Sequence, residues 1–122
     1  MNLKAIEPTK LFVYSLLLLF VVGCSNSNKN NEVNLIIACV NGAMDKVELY
    51  SSKLPTVNYV SIKGDTPLNA AAANGNIEVV KYLVAQGAIP DLKDSYGLSA
   101  IESAQKNGHL EVVEFLMAFE KD

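Results

Sequence analysis

An all-α solenoid of about three helix-turn-helix repeats with projecting turns is the fold class this sequence predicts, and three observations predict it. The chain returns to itself at a spacing of 33 residues: Gly42, Gly75 and Gly108; Leu35, Leu68 and Ile101; Ala38, Ala71 and Ala104; Val47, Val80 and Val113. The run Asn74-Gly75-Asn76-Ile77-Glu78-Val79-Val80-Lys81-Tyr82-Leu83 comes back as Asn107-Gly108-His109-Leu110-Glu111-Val112-Val113-Glu114-Phe115-Leu116. A fixed period of this length is the mark of a stacked repeat architecture. Within each unit, short apolar stripes at helical spacing lie between glycine-marked turns.

In chain order, the first element is a leader. Lys4 and Lys10 precede twelve apolar or small residues, Leu11 to Val22, and the run ends at Gly23-Cys24. A charged start, an apolar middle and a small-residue exit describe a secretory signal peptide at 1–23. The run is shorter than the ~20 residues of a comfortable membrane span. Val21-Val22-Gly23-Cys24 resembles the bacterial lipobox, which implies cleavage before Cys24, lipid attachment at Cys24 and a membrane-tethered chain. An uncleaved signal anchor, or an ordinary secretory peptide with an incidental cysteine, are the other readings. Ser25 in place of Asp resembles the signal for passage to the outer membrane, so the expected location is the bacterial cell envelope, on the periplasmic face of the outer membrane.

Ser25-Asn26-Ser27-Asn28-Lys29-Asn30-Asn31 follows, and residues 24–31 read as a lipidated cysteine and a flexible polar tether. Eight extended residues reach about 27 Å, at about 3.4 Å per residue.

The repeats occupy 32–119, divided at about 32–63, 64–96 and 97–119, with a short tail at 120–122. Thr66-Pro67 starts a helix, with a hydroxyl N-cap and Pro at the first helical position. Leu68, Ala71 and Ala72 face inward, the alanines allowing close helix approach. Gly75 suits a left-handed C-cap. A second helix from about Ile77 to Gln86 buries Val79, Val80 and Leu83 and presents Glu78 and Lys81 outward. Ile89-Pro90-Asp91 is expected to lead out extended. Asp94-Ser95-Tyr96-Gly97 turns the chain into the next unit.

Gly64-Asp65-Thr66-Pro67-Leu68-Asn69-Ala70-Ala71-Ala72, the Gly75 to Leu83 run and Gly87-Ala88 are similar to the ankyrin repeat. The resemblance covers about residues 32–119 and implies an ankyrin-repeat solenoid that binds proteins. Asn69 stands where the family has His, so hydrogen bonds between neighbouring turns are expected to be altered or lost. Ser99-Ala100-Ile101-Glu102 replaces Thr-Pro-Leu-His in the third unit; Ser99 still caps, with a less stiff start. The first unit lacks Thr-Pro and has Ser51 at an apolar position. Polar lapses at both ends are expected of units that cap a stack, and three repeats approach the minimum for stability. The chain is therefore expected to be a complete small array.

Composition excludes some functions. From Cys24 onward there are 99 residues, with eight Lys, twelve Asp plus Glu and no Arg. An acidic, Arg-free domain lacks the forked donors that nucleic-acid readers favour. With Cys24 acylated, Cys39 has no disulfide partner and reads as a small core residue. His109 is the lone histidine and reads as helping to cap the helix that follows it. No metal-ligand set, phosphate loop or catalytic constellation is visible, so no cofactor and no enzymatic activity are expected. What remains is recognition. Carried over from the resembling family by motif match, the partner-binding positions are Val60, Ile62, Lys63 and Asp65 in the first projecting turn and Lys93, Ser95, Tyr96 and Leu98 in the second. Asn41, Ala73, Asn74, Lys106 and Asn107 follow in the first helices. The expected partner is an unidentified envelope protein, bound by a monomeric chain that acts as adaptor or assistant. The alternative is a periplasmic immunity or inhibitor protein that masks a toxin or enzyme.

Overall fold

The computed structural model describes residues 27–121; the leader expected at 1–23 and the lipid attachment expected at Cys24 lie outside the described residues. The compact unit that carries the repeats spans Asn31–Asp122. It contains helix α1 (27–41) from residue 31 onward, α2 (Met44–Ser52), α3 (Pro67–Ala73), α4 (Ile77–Ala85), α5 (Ala100–Lys106) and α6 (Leu110–Lys121), with no strand among the described residues. Each pair is joined by two or three residues, which folds the second helix back along the first. Helix α3 packs on α4 and α5 on α6; α3 also packs on α5, while α2, α4 and α6 form a second row.

The period decides the core. Leu35, Ala38, Cys39 and Val47 of the first unit are buried, as are Leu68, Ala71, Ala72 and Val80 of the second and Ala104, Val113 and Leu116 of the third. The α4 stripe of Val79, Val80 and Leu83 is buried on both sides by neighbouring units. Small residues at 38, 71 and 104 let the first helices approach, and the branched residues of the second helices fill the space between rows.

Helix starts follow local chemistry. Thr66 Oγ1 accepts from the Asn69 N–H at 3.1 Å, with Pro67 at the first helical position. In the third unit the start is stiffer than the missing proline suggests, because Ser99 and Glu102 form a reciprocal capping box. The Ser99 N–H and then the Lys93 ammonium, 3.3 Å away, hold the Glu102 carboxyl below its usual range. Gly75 ends α3 at φ +71°, and a Cβ there would lie 2.5 Å from the His109 ring. Only glycine meets both demands at this position.

The structure departs from the sequence reading at several points. Residues 27–31, assigned to the polar tether, are helical and open α1. A helix already formed at 32–41 is extended one bond per residue, which is far cheaper than starting one. Residues 120 and 121, assigned to a tail, belong to α6. Pro90-Asp91 is not extended. It forms a turn closed by the Leu92 N–H on the Ile89 carbonyl at 3.4 Å, with proline at the favoured second position. Ser51 is buried and satisfied: its hydroxyl donates to the Glu48 carbonyl at 3.2 Å and lies 2.9 Å from the Tyr82 hydroxyl. The polar residue at this apolar position is met by a polar tip on the next helix.

Cys39 is fully buried, and desolvation pushes its thiol up to about 12. The thiolate is the nucleophile, so folded chain should react slowly with a bulky maleimide at neutral pH and rapidly once denatured. Fast native labelling of Cys39 in a Cys24→Ser background would show that α1 opens readily.

Candidate functional site

Successive units are joined by bonds that themselves repeat. Asn76 Nδ2 donates to the carbonyls of Cys39 at 2.6 Å and Val40 at 3.0 Å. One period later, His109 Nε2 lies 3.0 Å from the Ala73 carbonyl. A carbonyl only accepts, so Nε2 carries the proton. The ring of His109 thus ties the start of α6 to the end of α3. Asn69 does the reverse of losing its inter-turn bonds: its Nδ2 donates to the Leu98 carbonyl at 2.8 Å and to Leu92 at 3.3 Å.

The projecting turns are copies of one another. Ser61 Oγ accepts from the Asp65 N–H at 3.1 Å, and the Ser61 N–H donates to the Asp65 carbonyl. One period on, Asp94 Oδ1 accepts from the Tyr96 and Leu98 N–H groups at 2.9 and 3.0 Å, and the Asp94 N–H donates to Leu98. Asp94 is thus a local turn residue. The turns are stitched together by the Ser95 N–H on the Gly64 carbonyl at 2.9 Å. At Gly64, φ is +85° and a Cβ would lie 2.3 Å from the Ser95 Cβ, so glycine is required for the turns to nest.

This scaffold shapes a concave groove of ≈ 280 Å³ between the first-helix row and the turns. Seven positions expected from the sequence converge on it: Asp65, Tyr96 and Leu98 from the turns, and Ala73, Asn74, Lys106 and Asn107 from the ends of α3 and α5. The amides of Asn74 and Asn107 donate back to the Ala70 and Ser103 carbonyls at 2.8 and 3.0 Å, which orients them at the rim. Lys106 Nζ sits 6.0 Å from the centre of the Tyr96 ring, a cation–π distance.

The other six expected positions lie outside the groove lining; one of them, Asn41, is exposed at the end of α1. Val60, Ile62 and Lys63 are exposed in the first turn. Lys93 is paired with Glu102, and Ser95 is the nesting residue just described. Sequence reasoning missed Ile36 and Val40 of α1, which form the apolar end of the groove, and Ala70 and Ser103 on its floor. Val40 stands in register with Ala73 and Lys106, so carrying the 33-residue shift back by one more unit would have found it. Ser103 Oγ is buried with no hydrogen-bond partner among the described residues.

The groove is graded: apolar at α1, small and neutral at α3, and polar at α5, where Lys106 lies beside the exposed aromatic ring and Asp65 and Asp94 line the turn side. Among the described residues there is no group of three His, Cys, Asp or Glu side chains placed to hold a metal ion.

Comparison with known proteins bears on this surface. A family model described as Ankyrin repeats (3 copies) matches residues 10–93 and 35–122. A curated relative, the ankyrin repeat and KH domain-containing protein mask-1 of Caenorhabditis elegans, is 33% identical over 75 residues. That match covers 61% of this chain and 3% of the worm protein. A chain of the solved complex described as the Bd0816 predatory endopeptidase from Bdellovibrio bacteriovorus with immunity protein Bd3460 superposes with a TM-score of 0.66 at 31% identity. It covers 70% of this chain and 45% of that one.

Proposed function

The chain belongs to the ankyrin-repeat family, and from that premise we propose that it is a membrane-anchored protein-binding module of the bacterial cell envelope. The observation that carries the binding role is the graded groove. Its walls are held by backbone and inter-repeat bonds, while the side chains of Val40, Tyr96 and Lys106 on its surface are exposed. Residues that a fold does not need, gathered in one concavity, are free to recognise a partner. The groove matches a partner segment with apolar side chains at one end and hydrogen-bonding groups at the other.

The anchoring part of the reading rests on Val21-Val22-Gly23-Cys24. Cys24→Ala should abolish incorporation of a palmitate analogue and move the chain out of the lipid-linked fraction; equal labelling of both chains would refute the anchor. Acyl burial contributes ~0.8 kcal/mol per CH₂, so several chains hold firmly.

Two versions of the binding role remain, adaptor and inhibitor. The solved complex of an endopeptidase with an immunity protein favours the second, in which binding masks an envelope enzyme. Affinity capture on tagged full chain from membranes, followed by assay of the captured protein with and without excess chain, separates them. Suppressed activity supports the inhibitor; a captured protein whose activity is unchanged supports the adaptor.

A further inference from the structure

The polar end of the groove is rich in acceptors. Three asparagines line it, and each has its amide nitrogen engaged by a main-chain carbonyl. Asn69 spends both hydrogens, on Leu92 and Leu98; Asn74 donates to Ala70 and Asn107 to Ser103. A carbonyl only accepts, so these bonds fix which way each amide points and leave its oxygen directed elsewhere. Among the described residues nothing donates to the oxygen of any of the three. Ser103 Oγ is the only fully buried side-chain polar atom without a partner among the described residues, so the unpartnered Asn69 oxygen reaches the surface that Asn69 lines, the groove. Asp65 and Asp94 add two carboxylates from the turns. The Asp65 carboxylate has neither an ion pair nor a hydrogen bond among the described residues, and Asp94 uses one oxygen to hold its own turn. The turn cation Lys93 is committed to Glu102. Against these acceptors stand Lys106 and the second amide hydrogens of Asn74 and Asn107.

We propose that the partner segment held in this groove carries an arginine at the polar end and an apolar side chain against Ile36 and Val40 at the other, which rests on the groove being the binding surface. Acceptors covered by a partner cost free energy unless the partner supplies donors. Arginine brings five N–H groups in a planar fork and keeps its charge, which suits amide oxygens from the helix wall and carboxylates from the turn wall. An acidic segment sets like charge beside Asp65 and Asp94 and meets one cation in return. A neutral segment leaves both carboxylates unpaired as they lose water. Tyr96 favours arginine over lysine. Its ring is 81% exposed at the same end, and a guanidinium stacks on an aromatic face while its N–H edge stays free to donate. The Ser103 hydroxyl on the floor, with no partner of its own, accepts as well as donates.

Selection of a phage-displayed library of random peptides on the full wild-type chain in detergent provides the test. Recovered peptides should be enriched in arginine, more than in lysine, with an apolar residue at a fixed spacing from it. For such a peptide, Asp65→Asn should weaken binding roughly fivefold, and the difference should shrink at high salt. That substitution keeps the size of the side chain, and Asp65 holds its turn through the main chain alone, so the thermal melt should not move. Lys106→Ala should not weaken binding, since it removes a charge of the same sign as the arginine. Tyr96→Leu should erase the preference for arginine over lysine. A peptide seated in the groove must also lose affinity for the Val40→Lys chain. The inference is overturned, with the groove reading intact, if peptides sensitive to Val40→Lys show no excess of arginine, bind the Asp65→Asn chain as well as wild type, or lose as much to Lys106→Ala as to Asp65→Asn. Both the inference and the groove reading are overturned if the recovered peptides are indifferent to Val40→Lys, or if the selection yields no binder.

Discussion

Leu83→Ala should destabilise the chain by ~2–5 kcal/mol, the range for emptying a leucine site in a rigid core. Leu83 is fully buried on α4, in the middle unit, with a neighbouring second helix on each side. A cavity there cannot collapse by moving one flanking element, because α4 is held from both directions. The Asn76 amide fixes its start to α1, and the Asn58 amide holds its exit, donating to the Gly87 carbonyl at 2.8 Å while accepting from the Ile89 N–H. A small domain has only ~5–15 kcal/mol of net stability, so this loss is a large share of it. Urea unfolding followed by circular dichroism checks the value. A change under about 1 kcal/mol would mean that the stacking order described above is wrong. Leu110→Ala serves as the control in dilute solution, since that side chain is mostly solvated and its loss should move stability by less than about 0.5 kcal/mol.

Val40→Lys combined with Tyr96→Ala should weaken partner binding by more than about 2 kcal/mol, roughly thirtyfold in affinity, while changing stability by less than about 1 kcal/mol. The two substitutions strike opposite ends of the groove. A lysine at 40 puts a charge where the wall is apolar, and the loss of the Tyr96 ring removes both an aromatic anchor and the surface over which Lys106 sits. Both side chains are exposed, so neither leaves a cavity, and a cation in the last turn of α1 suits the helix dipole. Titration of the captured partner against wild-type and variant chains, beside thermal melts of both, decides the matter. Unchanged affinity would place the interface elsewhere, with the convex second-helix row next to be tested. Ile62→Ala, outside the groove lining although fully exposed, should leave binding within a few-fold of wild type.

The anchor proposed at Cys24 and the proposed inhibitor role bear on one another. A tether of that kind would confine the chain to one surface and raise its local concentration, which favours capture of a membrane-proximal enzyme. Releasing the chain by Cys24→Ala separates these effects from groove affinity, which should be the same in the soluble and anchored forms.

Much of this molecule could be read without coordinates. The 33-residue period placed the buried positions, from Leu35 and Ala38 through Val80 and Leu83 to Ala104 and Val113, because stacking imposes the same inward faces on every unit. Thr66-Pro67 and Gly75 placed helix ends, because caps and positive φ depend on a few adjacent residues. These are short-range or strictly periodic requirements, and a single sequence states them outright. The remainder depended on groups brought together from one period away. Whether Asn69 would lose its partners or find the Leu98 carbonyl, whether His109 would cap α6 or reach Ala73, and whether Ser51 would be a lapse or a bonded core residue turned on the spacing between units. So did the groove, where Val40 and Tyr96, 56 positions apart in the chain, line one concavity while Ile62 and Lys93 are not part of its lining. The period gives the register of a surface position, as for Val40, Ala73 and Lys106, but residue type there is unconstrained because nothing packs on it, so only the stacked structure decides which exposed residues from helices and turns share a site.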